Sequence, residues 1–305
     1  MRAYIAARLA TAVLVVLGVS IVSFCLTFLS GDPAEIMLPP GATAEHIAKF
    51  RAEWGYDDPL LVQYGRFLRR AVQGDFGVSL RHGQSSLPLI AARLPATLQL
   101  TVTAMLLAIV LAVPLGVLAA THRGGPLDLL AMGVALLGQS IPNFWLAIMM
   151  ILLFAVSWGL LPTSGRGGLA HVVMPAVAIA INLMALLTRL VRTTMIEVLA
   201  EDYVRTGRGK GLREVIVLTR HALPNALIPL VTVVGLQFGY ILGGAVVIET
   251  IFTWPGVGLF TIQAILNRDY PVVQASVFIL ATGVVLINLI VDLLYVWLDP
   301  RIRLG

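Results

Sequence analysis

The residues that could do chemistry are few, and they do not assemble into a nucleotide site. Gly209-Lys210 comes closest to a phosphate-binding loop, but that motif needs a glycine five residues earlier and Ser or Thr directly after the pair. Val204 and Gly211 occupy those positions. A dinucleotide-binding turn is also excluded, because Gly207 and Gly209 lack the third glycine of that pattern. We therefore expect no ATP or cofactor site in this chain.

Metal ligands and paired carboxylates are equally sparse. None of the five histidines lies in a His-Glu-x-x-His run, and Cys25 is the only cysteine. Asp292 is the one acid well inside an apolar run, and Glu249 lies near the end of another. An acid in lipid is a functional candidate by default, but a proton-driven carrier usually needs more than one relay group. Pairing of Asp292 with another helix is therefore the alternative, and Glu249 is a candidate for capping or gating. We expect neither a metal site nor catalytic residues.

The composition excludes most soluble classes of protein. Of the 305 residues, 58% are hydrophobic and 12% are charged, and the mean hydropathy is +0.92. Soluble domains carry about 25% charged residues, so a soluble enzyme is excluded. Disordered and nucleic-acid-binding chains are excluded as well, because both need high charge and few apolar runs.

The elements that must position these residues are membrane-spanning helices. A span needs about 20 apolar residues, and six stretches of at least that length lack Asp, Glu, Lys and Arg: 9–31, 94–121, 129–165, 167–188, 222–248 and 270–291. The first follows Arg2 and Arg8, and we expect an uncleaved span rather than a signal peptide because no small-residue cleavage site follows it. The sequence therefore predicts an all-α protein with six transmembrane helices.

The basic residues orient these spans. With the N-terminus inside, twelve bases lie in cytoplasmic segments and only Arg166 and Arg268 in the two short outer loops, which matches the positive-inside rule. We predict cytoplasmic termini and a membrane-bound chain. Its segments are a first helix (1–31), an outer insertion (32–93), a five-helix core (94–298) with a cytoplasmic loop (189–224) and an outer loop (249–271), and a tail (299–305).

Two polar segments hold most of the charge. The insertion carries seven acids and seven bases, and its amphipathic stretches 45–54 and 60–72 predict a small helical cap, either a solvated lid or a docking surface. In the cytoplasmic segment, Glu201-Asp202 marks a helix start, because acids favour the positive end of the helix dipole. Alternate glycines predict a turn, and 212–223 predicts a second helix. The alternative is an ordinary basic loop.

Prolines and small residues predict bends and close contacts. Prolines 114, 142, 175 and 229 lie within or beside spans and can kink them. Gly243-Gly244-Ala245 is the best candidate for a close helix contact, within the chain or with a partner.

These segments resemble, end to end, the inner-membrane permease subunits of ATP-binding-cassette importers for dipeptides, oligopeptides and nickel. The resemblance lies in residues 31–34, 138–146, 202–212 with 220–226, 249–258 with 268–271, and 298–303. The most specific parts are the cytoplasmic loop and the Trp254-Pro255-Gly256 loop. The resemblance implies a type I importer permease fold in the inner membrane, with an insertion after the first span.

The family also implies partners and site residues. The partners are a second homologous permease, two ATPase subunits that hold ATP and Mg²⁺, an extracytoplasmic binding protein and membrane lipid, with no nucleic acid. The residues implied to contact an ATPase are Glu201, Asp202, Tyr203, Val204, Arg205, Thr206, Gly207, Arg208, Gly209, Lys210, Gly211 and Leu212. Those in the loop facing the binding protein are Glu249, Trp254, Pro255, Gly256, Arg268, Asp269 and Tyr270.

The resemblance implies import of short peptides by alternating access. Import of a nickel chelate or another small solute is the alternative within the family, and an ion-gradient carrier is the alternative outside it. One departure stands out: relatives usually carry alanine at Gly207 and Gly209. Because each glycine costs about 0.5–1 kcal/mol in a helix interior, we expect this helix to fray without its ATPase.

Overall fold

The apolar stretches of the sequence form long helices in this computed structural model, which describes residues 2–29, 34, 38 and 41–298. The α-helices are, in chain order, α1 (Arg2–Leu29), α2 (Ala44–Trp54), α3 (Leu60–Val72), α4 (Ser86–Ala91), α5 (Leu94–Thr121), α6 (Pro126–Ser140), α7 (Asn143–Met150), α8 (Leu169–Leu199), α9 (Asp202–Gly209), α10 (Glu214–Ile216), α11 (Leu223–Ala226), α12 (Ile228–Ile251), α13 (Val257–Leu266) and α14 (Tyr270–Leu298). Single π-helical segments, Ile151–Ser157 and Val217–Ala222, continue α7 and α10.

Within the described residues, five helices are long and apolar enough to cross a bilayer, and a bent pair supplies a sixth span. The five are α1, α5, α8, α12 and α14. The sixth combines α6 with α7 and its π-helical continuation, bent by 97°. Each predicted stretch therefore matches a helix or this pair. The predicted tail 299–305 and the predicted span exit at 31–33 lie outside the described residues.

The bend lies at Pro142, one of the four prolines expected to kink a span, and it divides the stretch 129–165 into two helical parts. Pro142 has no N–H, and its ring disfavours helical backbone at the preceding residue. Ile141 is accordingly extended, with φ −85° and ψ 123°. Pro114 and Pro175 lie inside α5 and α8 without ending either helix. Pro229 lies in the first turn of α12, where the missing donor costs little.

The first compact unit comprises residues 1–96 and 255–289. Helices α2 and α3 match the two predicted amphipathic stretches. Thr43 caps α2 by accepting a hydrogen bond from the amide of His46, and Gly55 ends it with φ 70°. The core combines residues of the insertion with residues of α13 and α14: Ala71, Phe76, Ile90, Val257, Phe260, Ala264, Val272, Val273 and Ala275. Packing therefore groups 32–93 with 255–289, which differs from the division by chain segment because apolar side chains of both interlock.

The second unit comprises residues 97–254 and, within the described part of the chain, residues 290–298. Two glycines permit close packing in it. A Cβ at Gly116 of α5 would lie 2.7 Å from the Cβ of Val191 in α8, and a Cβ at Gly235 of α12 would lie 2.2 Å from a methyl group of Val291. Gly243 and Gly244 have nothing within 4 Å of the corresponding positions and are exposed. Among the described residues, these two glycines therefore do not make the predicted close helix contact within the chain, and a contact with a partner stays a prediction.

Candidate functional site

Within the predicted cytoplasmic loop 189–224, residues 189–199 are the end of α8, and residues 200–224 form a compact projection after it. Glu201 precedes α9 with extended backbone, and Asp202 lies in its first turn. Of the twelve residues expected to contact an ATPase, Val204 is buried, Gly207 is half-buried and the other ten are exposed. Val204 and Val217 are fully buried and help anchor α9 and the π-helical segment to the rest of the unit. The projection therefore presents almost all of the predicted contact residues on its surface.

The turn in this projection lies later than the glycine pattern suggested. Gly207 and Gly209 are both helical, and the chain reverses at Gly211, whose φ is +75°. A positive φ favours glycine, whereas glycine at helical angles only weakens a helix. The second helical segment begins at Glu214 rather than at Leu212.

An ion pair closes the turn. The guanidinium of Arg208 donates to both carboxylate oxygens of Glu214, at 3.1 and 2.7 Å. This hydrogen bonding lowers the pKa of Glu214 and raises the pKa of Arg208. Near the start of α9, the side-chain amide of Asn225 donates to the hydroxyl of Tyr203 at 3.0 Å. These contacts attach α9 to the residues that follow it.

A second ion pair, not singled out in the sequence, joins the start of α6 to α8. Arg192 donates from Nε and Nη2 to the two carboxylate oxygens of Asp128, at 2.5 and 2.7 Å. The amide of Gly124 also donates to Asp128, at 2.9 Å. The Asp128 side chain is only 6% exposed. Thr194, two residues after Arg192, donates to the carbonyl of Ala226 at 3.1 Å. The end of α8 is thus joined to both α6 and α11, the short helix in which the projection ends.

A cavity of about 650 Å³ lies beside the bent span. Its lining combines apolar side chains with neutral amides and hydroxyls, and it contains no charged side chain: Gln139, Ser140, Ile141, Pro142, Asn143, Phe144, Ile179, Asn182, Leu183, Leu186, Gln237, Tyr240, Ile241, Gly244, Val247 and Ile248. None of these residues was predicted from the sequence as a site residue. The feature of the sequence that could have indicated this cavity is the presence of amide side chains inside apolar runs.

The bend contributes backbone polar groups to this cavity wall. Because Pro142 has no N–H, the carbonyl of Gly138 loses its helical donor. The amide nitrogen of Asn182, oriented to donate, lies 3.0 Å from that carbonyl oxygen, and Asn182 also contacts Asn143. Polar groups that a bend frees inside a membrane protein need such partners or a water-filled cavity.

Burial divides the seven residues expected to face a binding protein. Glu249, Trp254, Gly256 and Asp269 are buried, Tyr270 is half-buried, and Pro255 and Arg268 are exposed. In the second unit, the hydroxyl of Thr97 donates to the side-chain carboxylate of Glu249 at 2.6 Å. The backbone amide of Trp254 donates to the backbone carbonyl of Glu249 at 2.8 Å. In the first unit, Asp269 accepts from Ser79 at 2.5 Å and from the amide of Leu80 at 3.1 Å. The buried four support the loop, and the exposed residues are available to a partner.

Two family models together match nearly the whole chain. The model of the binding-protein-dependent transport system inner membrane component matches residues 112–304, and the N-terminal model of the same membrane component matches residues 1–101. A dipeptide transport system permease protein of Alkalihalophilus pseudofirmus is 40% identical over 99% of this chain and 100% of its own length. A glutathione transport system permease protein of Escherichia coli K12 is 39% identical over 98% of each chain.

Solved structures support the fold. An inward-facing structure of the MetNI methionine ABC transporter matches with a TM-score of 0.60 at 20% identity, over 69% of this chain and 96% of that chain. An amino acid ABC transporter matches with a TM-score of 0.51 at 18% identity, over 70% and 94% of the two chains. The predicted fold class is confirmed. The chain is an inner-membrane component of a binding-protein-dependent transport system, a permease of the ATP-binding-cassette importer family that works with ATPase and substrate-binding partners.

Proposed function

We propose that this permease moves short peptides, delivered by an extracytoplasmic binding protein, into the cytoplasm by alternating access. The observation that carries the substrate class is the cavity beside the bent span, with its neutral amide and hydroxyl lining. A peptide backbone offers both N–H donors and C=O acceptors, and an amide side chain can pair with either. A lining without charge accepts peptides whatever the charge of their side chains.

The relatives agree with this substrate class. Their names specify dipeptide and glutathione transport, and both match over almost their whole length at about 40% identity. Selection among peptides then belongs to the binding protein, because the cavity offers no fixed charge to discriminate between them.

The charge asymmetry supports an orientation with both termini in the cytoplasm. Twelve bases lie in segments that this orientation places inside, against two in the short outer loops, in agreement with the positive-inside rule. The segment 189–224 then faces the cytoplasm, whereas the insertion 32–93 and α13 face the binding protein.

The exposed projection supports contact with an ATPase, and ATP with Mg²⁺ belongs to that partner in this proposal. ATP-driven closure of two ATPases would pull on α9, and the Asp128–Arg192 pair would carry the movement into α6 and the bent span. An element with two arrangements is what such a switch requires. The exposed face of α12, with Tyr240, Gly243, Gly244 and Val247, supports a second permease that completes the cavity.

The test is uptake of a labelled dipeptide by proteoliposomes that contain the co-purified assembly, with binding protein outside and ATP inside. We expect uptake that needs both. Gln237→Leu, in the cavity, should lower the uptake rate about 2- to 10-fold, because it removes a neutral hydrogen bond worth about 0.5–1.5 kcal/mol. The control Gln73→Leu, at an exposed position after α3, should match the wild type.

Three outcomes would contradict the proposal. Uptake by the chain alone, driven by an ion gradient, would identify a secondary carrier. Uptake of a nickel chelate without any peptide would identify the alternative substrate within the family. An unchanged rate in Gln237→Leu would remove the cavity from the substrate path.

A further inference from the structure

A second cavity, of about 310 Å³, lies in the first unit and differs from the neutral one in its charge. It is lined by Arg81, His82, Arg93, Phe260, Gln263, Ala264, Asn267 and Asp269. Arg81, Gln263 and Asn267 are exposed at its rim, whereas Phe260 is buried. These residues come from the loop before α4, the junction of α4 and α5, α13, and the turn that follows α13.

The two arginines are held by neutral groups in the part of the chain that the structure describes. Among the described residues, no Asp or Glu lies within ion-pair distance of Arg81 or Arg93. Arg81 donates to the side-chain oxygen of Asn267 at 2.9 Å, and Arg93 donates to the carbonyl of Leu89 at 2.6 Å. A guanidinium has five N–H donors, so each arginine retains donors for a ligand.

The aromatic ring of Phe260 holds Arg93 in place. The guanidinium carbon of Arg93 lies 3.6 Å from the centre of that ring, a cation–π geometry. The ring of His82 lies 5.8 Å from the same ring. A guanidinium fixed in this way loses little freedom when it binds a planar, two-oxygen group such as a carboxylate.

The one acid of the cavity does not offset this charge by direct pairing. Asp269 is 2% exposed, and its carboxylate accepts from the hydroxyl of Ser79 and the amide of Leu80. It therefore orders the loop that carries Arg81. Arg268, exposed beside the cavity, adds a further positive charge. The site has an excess of positive charge with unused donors.

We propose that this cavity is a docking site for the carboxylate of an acidic side chain on the binding protein. The inference rests on the proposed function, because the orientation proposed there puts the cavity on the side from which a binding protein approaches. The family is binding-protein-dependent, and an exposed rim lets a second protein reach both guanidiniums. Arginine binds carboxylates through two parallel hydrogen bonds, and opposite charge speeds association at low salt.

The first test measures the affinity of labelled binding protein for the complete assembly in nanodiscs at low salt. Arg93→Gln and Arg81→Gln should each weaken binding, by about tenfold for the better-held Arg93, which corresponds to about 1.4 kcal/mol. The salt dependence of binding should also decrease. Arg123→Gln, which removes an exposed arginine between α5 and α6, on the side that the proposed orientation places in the cytoplasm, is the control and should bind normally. Equal assembly yield and equal basal ATPase activity exclude misfolding as the cause.

The second test identifies the partner group. The chain has only two lysines, Lys49 and Lys210, so Arg81→Lys introduces an amine against a low background. A zero-length carbodiimide should join this lysine to an Asp or Glu of the binding protein, which mass spectrometry would locate. Arg123→Lys should give no such product.

The outcomes separate this proposal from the proposed function. If binding is unchanged in both glutamine variants while peptide uptake persists, the docking site is wrong and the transport function stands. If the wild-type assembly shows no peptide uptake, the transport function itself fails. A loss of uptake that is confined to peptides with a free carboxyl terminus, with normal affinity for the binding protein, would assign the cavity to substrate and overturn the docking site. A loss that appears only with anionic lipid in the nanodisc would assign it to a lipid phosphate and overturn it too.

Discussion

The pair of Asp128 and Arg192 should hold the end of α8 to α6, and Asp128→Asn would test this. The substitution keeps the shape of the side chain and can still accept from Gly124, but it removes the negative charge beside a guanidinium that is only 25% exposed. Removing one partner of a buried pair costs about 3–5 kcal/mol, because the other charge stays buried without compensation. Since Arg192 is partly exposed, we expect a value near the lower limit, about 3 kcal/mol.

The assay has two readouts on the purified assembly in nanodiscs. Denaturant unfolding should show the loss of stability, and ATPase stimulation by the binding protein should fall in Asp128→Asn at temperatures where the assembly remains folded. The control is Asp57→Asn, whose ion pair with Arg51 at 3.6 Å is exposed. Such surface pairs contribute about 0–1 kcal/mol, so this variant should resemble the wild type.

A double-mutant cycle isolates the pair itself. Arg192→Gln alone should destabilise the assembly, and the double variant should lose less stability than the sum of the two single variants. Additive losses would refute the assignment of the energy to this contact. Normal ATPase stimulation in a destabilised Asp128→Asn assembly would show that the pair holds the structure without transmitting movement.

Three further outcomes follow from the local geometry. Gly116→Ala should destabilise the assembly by about 1–3 kcal/mol through overpacking. Its control Gly133→Ala, with nothing within 4 Å of the new carbon, should be neutral or stabilising. Equal melting temperatures of the two variants would contradict the packing argument. Gly207→Ala, whose new carbon would lie 3.8 Å from the nearest side-chain atom, should increase amide protection of α9 in the isolated permease. Strong amide protection of α9 in the isolated wild-type permease would contradict the expected fraying. Arg208 lowers the pKa of Glu214, so the stabilisation by this pair is complete at neutral pH and is lost as pH falls through the lowered pKa. Amide exchange of α9 should therefore become faster in acid. Glu214→Gln should abolish this pH dependence of exchange.

The spans could be predicted from the sequence because each depends on local composition alone. A run of about 20 residues without charge has few alternatives to a membrane helix, and the stretches near 94–121 and 270–291 became α5 and α14. The bent span could not be predicted from hydropathy, because residues 129–165 are apolar on both sides of Pro142. Proline signals a possible break, but Pro114 and Pro175 have the same signal inside unbroken helices.

The candidate site was predictable only where it is contiguous in sequence. The projection around α9 is such a segment, and a charge pattern and glycines marked it. Asp128 and Arg192 are 64 residues apart, and nothing local to either residue identifies its partner. The cavity residues come from four helices, α6, α7, α8 and α12, and from the break between α6 and α7, so their convergence depends on how those helices rotate and pack. The turn was misplaced because a glycine does not indicate by itself whether its φ is negative, as at Gly207, or positive, as at Gly211.

The absence of charge from the large cavity has a kinetic consequence. A transit site that held peptides through ion pairs would bind some of them tightly, and each turnover would have to wait for their release. Neutral hydrogen bonds, worth about 0.5–1.5 kcal/mol each, keep that residence short for every peptide alike. The rate of import would then be set by the ATPase cycle and by the arrival of loaded binding protein, and competition between peptides would occur before they reach the membrane.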